Sequence, residues 1–192
     1  MAIELETPRT PGLPVVKRTA IGEEFVGMLI RKEQRNVLKD GDPVMNDHGK
    51  PKQELVLTVM TVSSTAPAGI GDHQQIPQSG EPVRLILRGK GFADWIQQVN
   101  DLGGPLQVGD VVTQLTESAQ RYDANGKPTG KLITTQAELE AVPRGTSVGV
   151  YGPVTLRRST AKEAALVAQA ERLYHETAKA IVIEDDGDDA PF

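Results

Sequence analysis

Three histidines, His48, His73 and His175, are the first residues to consider for proton transfer or metal binding, and their spacing favours neither. None lies at ligand spacing from another histidine, and the chain has no cysteine to complete a thiolate site or a disulfide. Asp40, Asp42 and Asp47 suggest a cation site at first sight. They lack the central glycine and closing glutamate of a calcium loop, so they read as turn formers. There is no Gly-rich phosphate loop with its lysine and no nucleophile elbow. The expectation is a protein that is not an enzyme, with no metal and no cofactor.

A second kind of chemistry fits better. Single-stranded nucleic acid is held by cations that follow the phosphates and planar groups on which bases stack. The cations form groups: Arg31, Lys32, Arg35 and Lys39; Lys50 and Lys52; Arg84, Arg88 and Lys90; Arg121, Lys127 and Lys131; Arg157 and Arg158. Any one of these is ordinary as a surface residue, and the inference rests on the set. Tyr122, beside Arg121 in a polar stretch, is the best stacking candidate. Tyr151 alternates with Val148 and Val150 and faces away from them, towards either a groove or the outside. Phe25 is equally ambiguous, whereas Trp95 shares a helix face with Phe92, Ile96 and Val99 and reads as core.

The elements that must position these residues follow from hydrophobic period. Strand-forming runs cover residues 23–35 and 54–63, joined by a long polar loop through Asp40-Gly41 and His48-Gly49. Residues 64–80 read as a long loop. In 82–88, Val83, Leu85 and Leu87 alternate with Arg84, Ile86 and Arg88, the pattern of a half-buried strand. Phe92, Trp95, Ile96, Val99 and Leu102 recur at helical spacing before Gly103-Gly104-Pro105. Further strands are predicted over 107–116 and 146–156, with a hairpin turn at Asn125-Gly126 between them. Thr135-Gln136-Ala137-Glu138 and Thr160-Ala161-Lys162-Glu163 have the form of capping boxes, the second opening a helix. Five strands with a helix between the third and fourth predict a mainly β fold. Its form would be the five-stranded Greek-key barrel of the OB-fold, followed by a C-terminal helix. The expected organisation is an extended arm over 1–20, the OB domain over 21–158, a helix over 159–180 and a disordered acidic tail over 181–192.

Charge is concentrated in that tail. The chain has 26 acidic and 21 basic residues. Glu184, Asp185, Asp186, Asp188 and Asp189 account for the whole excess, so the body is neutral. The chain ends in Pro191-Phe192. Such a segment buries too little apolar surface to fold. Its terminal ring and carboxylate suit a small apolar pocket with a basic rim on a partner.

This tail resembles the tip of bacterial and phage single-stranded DNA-binding proteins, in which an acidic stretch ending in Pro-Phe recruits replication, recombination and repair proteins. The matching residues are Asp185, Asp186, Asp188, Asp189, Pro191 and Phe192. The segment from Asp40 to Lys52 running into Leu55-Val56-Leu57 is similar to phage-encoded members, and the Gly-Asp entry at Gly109-Asp110 recurs in OB-folds. Cellular members usually carry a bulky aliphatic residue where Ala190 stands, and a Gly/Gln/Pro linker where a charged helix is predicted here. The resemblance implies an OB-fold that binds single-stranded DNA with little sequence preference, and the clustered residues expected to hold the strand are Arg31, Lys32, Arg35, Lys50, Lys52, Arg84, Arg88, Lys90, Arg121, Tyr122, Lys127 and Lys131. It also implies partner proteins docked on the tail.

Two alternatives stand beside it: a phage structural or interaction protein, and a PDZ-like peptide-binding module over 103–157. The second rests on Leu106 to Val112, Asn125-Gly126-Lys127 and Ala137-Glu138-Leu139. No signal-type or membrane-spanning apolar run is present, so a soluble, cytoplasmic protein is expected, in the host cell if phage-encoded, with homo-oligomers possible.

Overall fold

The computed structural model describes residues 12–185 except Asp47 and Asp72. The expected acidic tip from Asp186 to Phe192 therefore lies outside the described residues.

Strand β1 (Val15–Val16) is followed by the long β2 (Glu24–Asn36). The short pair β3 (Leu38–Lys39) and β4 (Asp42–Pro43) leads into β5 (Gln53–Ser64). Next come β6 (Ala68–Ile70), β7 (His73–Gln75) and β8 (Pro82–Arg88), then helix α1 (Lys90–Asp101). After β9 (Val111–Leu115) the chain forms β10 (Ser118–Tyr122), β11 (Pro128–Ile133), the short α2 (Gln136–Glu140) and β12 (Ser147–Tyr151). It returns through β13 (Val154–Arg157) to α3 (Ala164–Asp185). The protein is mainly β with a C-terminal helix.

An eight-stranded mixed sheet runs in the order β13-β9-β2-β5-β8-β1-β6-β7, and a separate three-stranded sheet in the order β11-β10-β12. The expected closed five-stranded barrel is not what the described residues form. The side of β8 that would close a barrel is taken by β1, which pairs with it in parallel at Val15 and Arg84. β13 is left as an edge. Residues within the expected N-terminal arm thus enter the sheet, and residues 64–80, read as loop, contain the antiparallel pair β6 and β7. The run over 146–156 is two strands in two sheets. It breaks at Gly152-Pro153, where Pro153 has no N–H for a ladder. A Cβ on Gly152 would lie 1.8 Å from the Leu115 carbonyl oxygen, so this corner needs glycine.

Both faces of the large sheet are covered, which explains the unbroken apolar run Phe25-Val26-Gly27-Met28-Leu29-Ile30. Phe25, Leu29, Leu57, Leu85, Leu87, Val112 and Trp95 form one core, with Phe92, Val99 and Leu102 of α1 packed on it. Met28, Ile30, Met60, Val111 and Ala170 form the other, closed by Leu166, Val167 and Leu173 of α3. The alternation in β8 is as the sequence reads: Val83, Leu85 and Leu87 are each 1% exposed. Phe25 and Trp95 are core, whereas Ile96, expected on the buried face of α1, is half exposed.

The helix starts also follow local chemistry. Thr135 and Glu138 form a reciprocal capping box at α2. Thr160 and Glu163 form another at the single 3-10 turn leading into α3. Arg157 clamps Glu163 through two hydrogen bonds of 2.9 and 2.7 Å, and this pairing pulls the Glu163 carboxyl down to about 2. The helix runs on through Ile181-Val182-Ile183, beyond the expected end at 180. No helix among the described residues is long and apolar enough to cross a membrane.

Candidate nucleic-acid interface

Strand register decides which cations share a surface. Arg31 pairs with Thr58, which pairs with Arg84; Arg35 pairs with Glu54, which pairs with Arg88. Residues directly opposite one another lie on the same face, so the four arginines share one side of the sheet. Lys32 pairs with Leu57 and lies on the other side.

Much of that arginine charge is already used. Glu54 is 3% exposed and accepts hydrogen bonds from Arg35 Nε at 2.7 Å and Arg88 Nε at 2.6 Å. A buried carboxylate needs such partners, and here one anion holds two cations. Arg84 donates to the Leu13 carbonyl oxygen at 3.1 and 2.9 Å, and burial followed by the charge of Arg35 lowers its pKa. Arg31 alone of the four has no ion-pair or hydrogen-bond partner for its side chain among the described residues.

A different assembly forms where β8 ends. The Arg35–Glu54–Arg88 row is close to the end of the sheet, and the chain passes from Arg88 through Gly89 into the first turn of α1. Gly89 is the N-cap, with φ 51 and no capping side chain. The small sheet stands opposite. Its Ser118, Gln120 and Tyr122 pair with Tyr151, Gly149 and Ser147, so Tyr122 and Tyr151 share one face. Between the two walls is a cleft of about 280 Å³ lined by Arg18, Arg88, Lys90, Gln120, Tyr122 and Tyr151 together with backbone of Gly89, Gly91 and Gly149.

Each aromatic has a local reason for its place. Tyr122 lies against Gly149, where an added Cβ would be 3.0 Å from its ring. Tyr151 donates its hydroxyl to Asp94 Oδ2 on α1, and Lys90 Nζ lies 4.1 Å from its ring centroid. This cation–π contact covers one face of the ring. Burial, then the hydrogen bond and charge of Asp94, push the Tyr151 phenol up to about 12. Burial also lowers the Arg18 pKa. Neither Arg18 nor Lys90 has an ion-pairing carboxylate among the described residues.

Of the predicted site residues, Arg88, Lys90 and Tyr122 therefore meet in the cleft. Arg121 and Lys131 line a separate pocket of about 220 Å³ with Leu132, Ile133, Glu138 and Val142. Lys127 is exposed at the β10–β11 turn, where its backbone N–H is held by Asp123 Oδ1 at 2.8 Å. Lys50 and Lys52 are exposed on the β2–β5 hairpin, beyond the same end of the sheet as Lys90. Arg158 is taken up by Asp110 at 3.0 and 2.9 Å, and Arg157 by Glu163.

Two residues lining the cleft, Arg18 and Gln120, and the Asp94 partner of Tyr151 were not singled out from the sequence. Arg18 stands in a Pro-rich stretch without periodicity, and only the pairing of β1 brings it here. Asp40 and Gly41 both have positive φ and form the two-residue turn between β3 and β4, which accounts for Asp40 structurally. Among the described residues no three His, Asp or Glu side chains gather as a metal site. Set against family models, curated proteins and solved structures, the chain finds no match in any of the three.

Proposed function

We propose that this protein binds single-stranded DNA with little sequence preference, in phage or bacterial replication, recombination or repair. In this reading its acidic Pro-Phe tail recruits partner proteins. The observation that carries the reading is the cleft, where Arg18, Arg88 and Lys90 meet Tyr122 and Tyr151. Arg18 and Lys90 have no carboxylate partner among the described residues, and cations left free beside aromatic rings are what a flexible polyanion with exposed bases requires. A cleft of about 280 Å³ lies near the lower end of small-ligand sites and has room for a base.

Strand order supports the same reading. Within the large sheet the run β13-β9-β2-β5-β8 is the order of an OB-fold opened between its third and fifth strands. Helix α1 follows β8 and packs against both β8 and β13, at the opening. In that scheme the small sheet is an elaborated hairpin between the fourth and fifth strands, a region that OB-folds use for oligonucleotides. Residues 103–157, the extent of the PDZ-like alternative, contribute strands to both sheets.

Titration with oligo-dT and with duplex DNA across a salt series tests the reading. Preferential, salt-sensitive binding of the single strand is expected. Equal affinity for duplex and single strand, or binding to neither, would overturn it. Removing residues 184–192 takes away the entire net negative charge. If the tail competes for the cleft, its removal tightens binding at low salt, where screening is least. An unchanged low-salt affinity would remove that competition from the scheme.

A further inference from the structure

We infer that the bound strand continues out of the cleft, over the edge of β11, to a second phosphate subsite formed by Arg121 and Lys131. This rests on the proposed single-stranded DNA reading.

The register of the small sheet is the starting point. Ala119 pairs with Ile133 and Arg121 with Thr129, so two steps on β10 face four on β11. Gly130, Lys131 and Leu132 stand opposite Gln120 alone, a bulge of two extra residues, with Gly130 at φ 70. Bulges of this kind re-aim side chains at the edge of a sheet. Here the bulge makes Leu132, 52% exposed, a wall common to the cleft and to the separate 220 Å³ pocket. The two cavities are neighbours across one apolar side chain.

The far pocket holds two cations against one carboxylate. Arg121 Nε is buried and makes no hydrogen bond. A buried unpaired guanidinium donor is costly, and a phosphate oxygen satisfies it once the side chain turns to present it. Lys131 adds an exposed positive charge from the bulge. The pocket also holds one carboxylate, Glu138, whose Oε2 accepts from the Thr134 and Thr135 backbone N–H groups at 3.1 and 3.2 Å; these bonds and the charge of Lys131 lower its pKa, so it offsets part of the positive charge. Tyr122 and Arg121 are consecutive on β10 and face opposite sides. A strand with a base on Tyr122 thus crosses Leu132 with its sugar and brings the next phosphates to Arg121 and Lys131.

Length dependence separates this subsite from the cleft. Oligo-dT of about four nucleotides occupies the cleft alone, and one of about sixteen reaches both sites, the two ends of the usual range for such folds. Lys131→Gln alters an exposed side chain, and Arg121→Gln is read alongside it with thermal unfolding as a control. Each is expected to weaken the long oligomer several-fold and to reduce its salt slope by about 0.7 for each phosphate that is no longer held. The short oligomer is expected to bind as before. Equal weakening of short and long oligomers would place both residues in the cleft and overturn the subsite. So would no change in either, where Tyr122→Ala still weakens both. If Tyr122→Ala and Lys90→Gln also leave both oligomers unaffected, the single-stranded DNA reading itself fails.

Discussion

The four arginines on the β2-β5-β8 face and the cations of the cleft have the same composition on paper and different situations in the fold. On the sheet face, Glu54 binds Arg35 and Arg88 together, and Arg84 is spent on the Leu13 carbonyl. In the cleft, Arg18 and Lys90 have no carboxylate partner among the described residues and stand beside two tyrosines. The difference is a single buried acid and where it stands in the register. Cation count alone does not define a polyanion site; what matters is charge left unpaired after the fold has formed. Arg88 belongs to both regions, since it pairs with Glu54 and also lines the cleft.

The largest effect expected comes from separating the two walls of the cleft. Gly152 is the corner between β12 and β13, and Gly152→Ala drives a Cβ to 1.8 Å from the Leu115 carbonyl oxygen. Backbone rather than a flexible side chain is in the way, so the cost falls at or above the ~3 kcal/mol top of the usual overpacking range. Urea unfolding measures it. A loss below about 1 kcal/mol would mean that the small sheet is free to shift, and the cleft would lose its claim to a fixed geometry.

Next is the contrast between the regions in binding. Tyr122→Ala is expected to cost about 1–3 kcal/mol in single-strand affinity if a base stacks on its ring, while Arg31→Gln on the sheet face costs at most one phosphate interaction. Fluorescence anisotropy with labelled oligo-dT compares them. A larger effect from Arg31→Gln would move the interface back to the sheet face.

The sequence announces the pieces of this comparison better than their assembly. Alternation in 82–88, the Asn125-Gly126 turn and both capping boxes are local patterns, and each is found where local physics puts it. Trp95 is buried because its helix has an apolar face. What stayed hidden depends on pairing between distant segments. Glu54 is one acid at the start of an apolar strand, and nothing near it says that it will face Arg35 and Arg88, 19 and 34 residues away. Arg18 enters the cleft because β1 pairs with β6 and β8. The orientation of Tyr151, open from alternation alone, is fixed by Asp94, 57 residues distant. Residues 146–156 keep strand chemistry throughout, and only the close approach to Leu115 reveals that they turn a corner.

Glu54→Gln sharpens the comparison by making the sheet face resemble the cleft. The variant retains the side chain's size and loses its charge. One acceptor oxygen becomes a donor facing arginines, so stability falls by about 1–3 kcal/mol. Binding moves the other way. Arg88 is released towards the cleft, and the salt dependence of oligo-dT affinity steepens by about 0.7 if it gains one phosphate. Unchanged affinity and slope, in a variant shown by circular dichroism to be folded, would mean that Arg88 is already available despite Glu54.

The smallest effect expected concerns how the cleft holds Tyr151. Burial and Asp94 raise its phenol pKa from 10.0 to about 12. The folded protein thus favours the neutral phenol more than the unfolded chain does. Its contribution to stability is fully present below pH 10.0 and is lost as pH rises through about 12. Tyr151→Phe removes the hydroxyl and keeps the ring, so below that window it costs about 0.5–1.5 kcal/mol for the hydrogen bond. The gap between variant and parent then narrows as pH climbs, because only the parent has a phenol at this position to ionise. Phenolate absorbance of the native protein should show a component near 12 that the variant lacks. If that component persists in Tyr151→Phe, another tyrosine is responsible and the Asp94 tether is not what raises it. Oligo-dT affinity changes little in this variant if the ring alone serves the cleft. A loss as large as that of Tyr122→Ala would instead show that the hydroxyl, through Asp94, sets the orientation on which stacking depends.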